Sequence, residues 1–239
     1  MTVLRFEGVA KRYGRAAVLA NLSFEAHASE AVALLGANGS GKTTLLKLAA
    51  TLLRPTAGRV LVLDRDTRRE EAREVRRRIG YVGHEPLLYD ELTARQNLRF
   101  FARLYGLANP VDVAEEWLAN VALTTRGHEL VATFSRGMKQ RLTIARALLH
   151  DPDLLLMDEP FASLDEEWSD RVHERMEEWI RRPDRLLLFA THGTEHASRL
   201  ATRALVLARG RFAAEARRTG EWGAEHLRRM YAGATGGGG

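Results

Sequence analysis

Apolar and polar positions along the chain fall into three patterns. Residues 3–7 and 18–26 alternate, the period of paired strands with one covered face. Residues 31–35 are apolar throughout, which suits a central strand covered on both faces. This run leads straight into a glycine-rich turn and a predicted helix from about 42 to 53. Arg54-Pro55-Thr56-Ala57-Gly58 then punctuates the chain before a strand at 59–63, and residues 79–82 predict another. The charged stretch 67–78 between them reads as a solvated helix face. From 93 to about 149 the signals are mainly helical, with Leu98, Phe101, Ala102 and Tyr105 at helical spacing and a break at Pro110. Beyond it, strand-like runs at 154–157, 186–190 and 204–208 alternate with helical stretches at 166–180 and 194–200. That alternation predicts an α/β fold with a parallel sheet, interrupted by an inserted helical lobe.

With 239 residues, the chain predicts one domain over residues 1–232, with the lobe inserted at about 84–150 and a flexible glycine-rich tail at 233–239. The apolar runs fall far short of the roughly 20 residues that cross a bilayer, and the N-terminus lacks the pattern of a secretory signal. Cysteine is absent, which excludes disulfides and thiolate metal sites. The net charge of +5 fits phosphate-rich ligands, nucleic acid or an anionic membrane face. It equally fits drift towards arginine, since Lys11, Lys42, Lys47 and Lys139 are the only lysines.

The candidate chemistry begins at Gly36-Ala37-Asn38-Gly39-Ser40-Gly41-Lys42-Thr43, followed by Thr44. Two glycines, a lysine and a hydroxyl residue between strand and helix form a phosphate-binding loop: the backbone curls until its amides converge on phosphate oxygens, helped by the helix dipole. Lys42 would reach the β and γ phosphates, and Thr43 would offer a hydroxyl to Mg²⁺. Further on, the strand Leu154-Leu155-Leu156-Met157 ends in Asp158-Glu159, where one acid can serve the metal and the other the attacking water.

With these motifs in the same order, the stretch from Tyr13 to His192 resembles the ABC (ATP-binding cassette) ATPases. The resemblance implies a P-loop NTPase with a mixed sheet core, an N-terminal antiparallel β lobe and an inserted helical lobe, using ATP and Mg²⁺. Phe134-Ser135-Arg136-Gly137-Met138 stands where that family has its Leu-Ser-Gly-Gly-Gln signature. By resemblance, Ser135 and Gly137 would contact the γ phosphate held by a second subunit, although Arg136 and Met138 depart from the pattern. Glu159 would be the catalytic carboxylate and His192 the γ-phosphate switch. Ala162-Ser163-Leu164-Asp165 resembles the loop along the dimer interface. Tyr13 stands where an aromatic ring stacks on adenine, and a tyrosine near a strand fits core packing as well. At Gly83-His84-Glu85-Pro86, His84 replaces the family's metal-contacting glutamine, as a metal or hydrogen-bond partner or as a residue that only shapes the loop.

Three segments resemble more narrowly the ATPase subunit of the haem exporter of cytochrome c maturation: Gly83 to Pro86, Leu92-Thr93-Ala94-Arg95-Gln96-Asn97-Leu98, and Phe134 to Met138. This resemblance implies separate transmembrane subunits as partners, an ATP-dependent dimer, and peripheral attachment at the cytoplasmic face of the inner membrane. A drug, lipid or polysaccharide exporter would carry the same nucleotide chemistry. ABC proteins acting on nucleic acid carry a long coiled-coil insertion or two cassettes, and this sequence reads as one compact cassette, so no nucleic-acid partner is expected.

Overall fold

The structure, a computed structural model, describes residues 1–68 and 72–236. In chain order the strands and helices are β1 (Thr2–Tyr13), β2 (Ala16–His27), β3 (Glu30–Leu35), α1 (Lys42–Ala49), β4 (Ala57–Val62), β5 (Arg65–Asp66) and α2 (Ala72–Arg76). There follow β6 (Ile79–Val82), α3 (Ala94–Leu104), α4 (Pro110–Asn120), α5 (Arg136–Leu148), β7 (Leu154–Asp158), α6 (Glu166–Ile180) and β8 (Leu186–Thr191). The chain closes with α7 (Thr194–Leu200), β9 (Arg203–Ala208), β10 (Arg211–Arg217) and α8 (Ala224–Gly236).

Two sheets result. One is antiparallel, in the order β2-β1-β4-β5. The other runs β10-β9-β3-β8-β7-β6 and is parallel except for its edge strand β10. The continuous apolar runs resolve at period two onto the two faces of this central sheet. Val32, Leu34, Leu154, Leu156, Leu186 and Leu188 meet α1 and the antiparallel sheet. Ala31, Ala33, Leu35, Leu155, Met157, Leu187 and Phe189 meet the helices from α5 to α8. Burial on both faces explains why these strands are apolar throughout.

The inserted helices close on their own cluster, in which Leu98, Leu118, Leu123 and Leu142 are buried. A capping box starts α3: Thr93 Oγ1 accepts from Gln96 N at 3.1 Å, and Gln96 Oε1 accepts from Thr93 N at 2.8 Å. This satisfies two amides that would otherwise lack helical partners.

Several predicted boundaries shift. The first two strands run 12 residues each because irregularities in the β1–β2 register absorb the breaks in alternation. The first helix ends at Ala49, short of 53, because Thr51 turns to φ +60 and the Leu52 and Leu53 amides both bond back to Lys47 O. The charged stretch 67–78 contributes only the short α2, and residues 69–71 lie outside the described ones. The glycine tail departs most: α8 continues through Gly233 to Gly236, held by Tyr231 and Ala234 packed on the central core, while 237–239 lie outside the described residues.

Candidate functional site

The carboxyl ends of β3, β7 and β8 open into one cleft of about 660 Å³. The loop between β3 and α1 forms its floor, with Gly36, Ala37, Asn38, Gly39, Gly41, Lys42, Thr43 and Thr44 along it. Two of the glycines are dictated by contact. A Cβ on Gly36 would lie 2.5 Å from Leu207 O and 2.6 Å from Ser40 Oγ. One on Gly41, which has φ +109, would lie 2.7 Å from a Leu19 methyl. A side chain at either would push the loop off β9 and β2. Ser40 does not line the cleft; it is buried beneath the loop, and its Oγ has no hydrogen-bond partner among the described residues.

Lys42 is buried and its ammonium donates to Gly36 O at 2.6 Å and Ala37 O at 3.1 Å. Burial lowers its pKa, and the carboxylates of Glu159 and Asp158 oppose that shift. Thr43 Oγ1 donates to Asp158 Oδ2 at 2.6 Å, which ties the first residues of α1 to the end of β7. Beside them, His192 Nδ1 lies 3.1 Å from Glu159 Oε1. The imidazole is 76% exposed and the carboxylate only 23%, so the pair leans from the sheet into the opening. Glu159 takes φ +49, a left-handed conformation that costs a side-chain-bearing residue about 1–3 kcal/mol. Its amide donates to Ala190 O at 2.9 Å and so pins the turn to β8. A buried ammonium, a hydroxyl–carboxylate pair and a half-sheltered base can together hold a polyphosphate and act on its terminal group.

His84 is exposed and lines this cleft together with a neighbouring cavity of about 330 Å³, which Asp158 and Glu159 also border. Arg136, Lys139 and Gln140 of α5 form the far wall of that second cavity. Gln140 Nε2 donates to Pro160 O at 3.0 Å, fastening the helical lobe to the acidic turn.

Other predicted site residues stand apart. Ser135 caps α5, its Oγ accepting from Met138 N at 3.2 Å, and neither it nor Gly137 lines the Lys42 cleft. A Cβ on Gly137 would lie 3.0 Å from Ser163 O, so the start of α5 abuts the 162–165 loop of the same chain. Tyr13 ends β1 half exposed, with Lys11 Nζ 5.1 Å from its ring centroid, and does not line the cleft either.

Sequence reasoning missed two contributors. Tyr231 of α8 is the aromatic residue that does line the cleft, alongside Val18 of β2. Its only signal is apolar spacing in the last helix. Gln140 stands two residues past the Phe134 to Met138 segment, and its partner is a main-chain carbonyl that no motif records.

The sequence profile of the family described as ABC transporter matches residues 19–162. The Nod factor export ATP-binding protein I of Rhizobium etli is 38% identical over 219 residues, covering 91% of this chain and 69% of that protein. The ABC transporter ATP-binding protein NatA of Bacillus subtilis is 38% identical over 193 residues, covering 80% of this chain and 78% of that protein. Among solved structures, an ATP-binding subunit of an ABC transporter superposes with a TM-score of 0.83 at 30% identity, covering 96% of this chain and 93% of the other. A dimeric ATP-binding cassette in a post-hydrolysis state, bound to ADP and Pi, superposes with a TM-score of 0.84 at 26% identity, covering 91% and 100%.

Proposed function

The chain belongs to the ABC transporter family as an ATP-binding subunit, and from that premise we propose that it hydrolyses ATP in the cleft between β3 and α1 and thereby drives separate membrane subunits. The observation that carries this reading is the convergence of Lys42, the Thr43–Asp158 pair and the Glu159–His192 pair on one opening. The loop amides and Lys42 hold the β and γ phosphates. Glu159 accepts a proton from the attacking water, and His192 orients the carboxylate and contacts the γ phosphate. Asn38, Gly39 and Thr44 complete the phosphate cradle, and Ser40 supports it from below. Tyr13 is proposed to face adenine.

Mg²⁺ fits the donor set as a sparse site, and when bound it neutralises phosphate charge. Thr43 and Asp158 would hold it, with His84 alongside. Among the described residues no group of three or more His, Cys, Asp or Glu could form an all-protein cage. This suits a cation that keeps its waters and shares phosphate oxygens.

Ser135 and Gly137 lie outside the Lys42 cleft of their own chain, so in the proposed arrangement a second copy brings them to the nucleotide. The dimeric relative bound to ADP and Pi supports a head-to-tail pair with ATP between the copies. Among the described residues no helix is long and apolar enough to cross a membrane.

For the cargo we propose the haem export complex of cytochrome c biogenesis. That assignment rests on the three short segments around His84, Gln96 and Ser135. The relatives carry other names, Nod factor export and NatA. A pull-down of the tagged chain from native membranes tests it. Co-purifying membrane subunits of cytochrome c maturation are expected, whereas those of a drug, lipid or polysaccharide exporter would overturn the cargo assignment and leave the ATPase intact.

A further inference from the structure

Two residues past Glu159, Phe161 packs beneath a pair of histidines that no nucleotide motif includes. Its ring centroid lies 4.4 Å from that of His173 on α6 and 4.1 Å from that of His196 on α7, at interplanar angles of 16° and 12°. The two imidazoles are only 5.2 Å apart and joined by a 2.9 Å hydrogen bond between His173 Nε2 and His196 Nδ1. A sandwich would set them about twice a stacking distance apart. They therefore lie side by side, inclined 24° to each other, as one plate over a single face of Phe161, while Phe189 of β8 meets the ring edge-on at 6.5 Å and 87°.

Phe161 belongs to the turn that Glu159 opens, since Ala162 N donates to Glu159 O at 3.1 Å. A residue held at φ +49 persists only when its surroundings over-determine it. His196, for its part, is in the first turn of α7, just after the loop bearing His192. The plate thus packs on the turn that follows Glu159 and belongs in part to the helix that follows His192.

We propose that the His173–His196 plate, acting through Phe161, positions the Glu159 carboxylate against His192 for hydrolysis. Neither histidine reaches the Lys42 cleft, so both are positioning residues, and the inference rests on the catalytic reading of the Glu159–His192 pair. The plate requires one ring nitrogen to donate and the other to accept. Burial pushes His173 down to about 4, and burial also lowers His196. Arg199 opposes protonation of both; Asp170 favours it at His173, and Glu195 and Glu159 favour it at His196, against His192. The plate is consequently neutral and intact at pH 7.

The test compares ATP affinity and kcat of the full chain in wild type, His196→Ala, His196→Phe and Glu159→Gln. His196→Ala removes the ring and should lower kcat by about tenfold to a hundredfold, as small misplacements of a catalytic group do, with ATP Kd within about twofold. His196→Phe returns a flat ring over Phe161 but not the hydrogen bond to His173, so kcat should recover only part of the way, clearly above His196→Ala. Thermal midpoints of both variants separate this split from general unfolding. A normal kcat in His196→Ala, or a kcat in His196→Phe as low as in His196→Ala, overturns the proposal. Loss of activity in Glu159→Gln alongside a normal His196→Ala rejects only the plate, whereas full activity in Glu159→Gln rejects the catalytic reading beneath it.

Discussion

Replacing Ser135 separates its work within the chain from its work across the dimer. In the free chain its hydroxyl caps α5 through Met138 N at 3.2 Å. Losing that cap to alanine costs about 0.5–2 kcal/mol, whereas glycine at the same position costs only about a few tenths. In the proposed dimer the same hydroxyl donates to a γ phosphate on the other copy, and symmetry supplies two such contacts. A hydrogen bond to a charged group contributes about 1.5–3 kcal/mol. Losing both weakens association by about 3–6 kcal/mol, or roughly 10² to 10⁴ in the dimer dissociation constant. The assay is light scattering across a concentration series at saturating Mg-ATP, with Glu159→Gln as background to prevent turnover, and urea melts of the same preparations. Ser135→Ala and Ser135→Gly should lose dimer to the same extent although only alanine loses much stability. Dimerisation at the parental affinity in both variants, or a defect confined to alanine, would refute the cross-subunit role.

Other expectations follow from single groups. His84→Gln should keep basal hydrolysis near wild type while changing stimulation by membrane subunits; identical stimulation would leave His84 a loop-shaping residue only. Burial holds both His150 and His173 at about 4 in the folded chain, whereas unfolded imidazoles titrate near 6.5. Between those values the unfolded state binds more protons, so stability is fully present above about pH 6.5 and falls as pH drops towards 4. Urea midpoints at pH 7.5 and 5 measure this, and equal midpoints would contradict it.

What the sequence discloses follows from how locally each feature is encoded. The phosphate loop and the acidic strand end were legible because their residues are contiguous and their strands are buried on both faces. Lys42, Thr43, Asp158, Glu159 and His192 line one opening. The resemblance points to Tyr13 for adenine, and nothing in the sequence points to Tyr231, which lines the cleft. No local pattern could reveal this, because the approach of α8 depends on packing against a core assembled from the whole chain. The extension of α8 through Gly233 was hidden for the same reason: glycine's cost of about 1 kcal/mol in a helix is a local property, and the packing that offsets it is not. His173 and His196 lie 23 residues apart on separate helices, so their hydrogen bond appears only once β8 and its flanking helices are in place.

The most direct test is ATP binding and single-turnover hydrolysis measured on one preparation of Glu159→Gln. The substitution keeps the side chain's size and removes the basic oxygen that faces His192. Loss of a general base slows chemistry by about 10² to 10⁴. Affinity for ATP should stay within a few-fold of wild type, because Lys42, Thr43 and the loop amides remain. Hydrolysis within about threefold of wild type would contradict the account and move the water-activating role away from Glu159, with His192 the next residue to test.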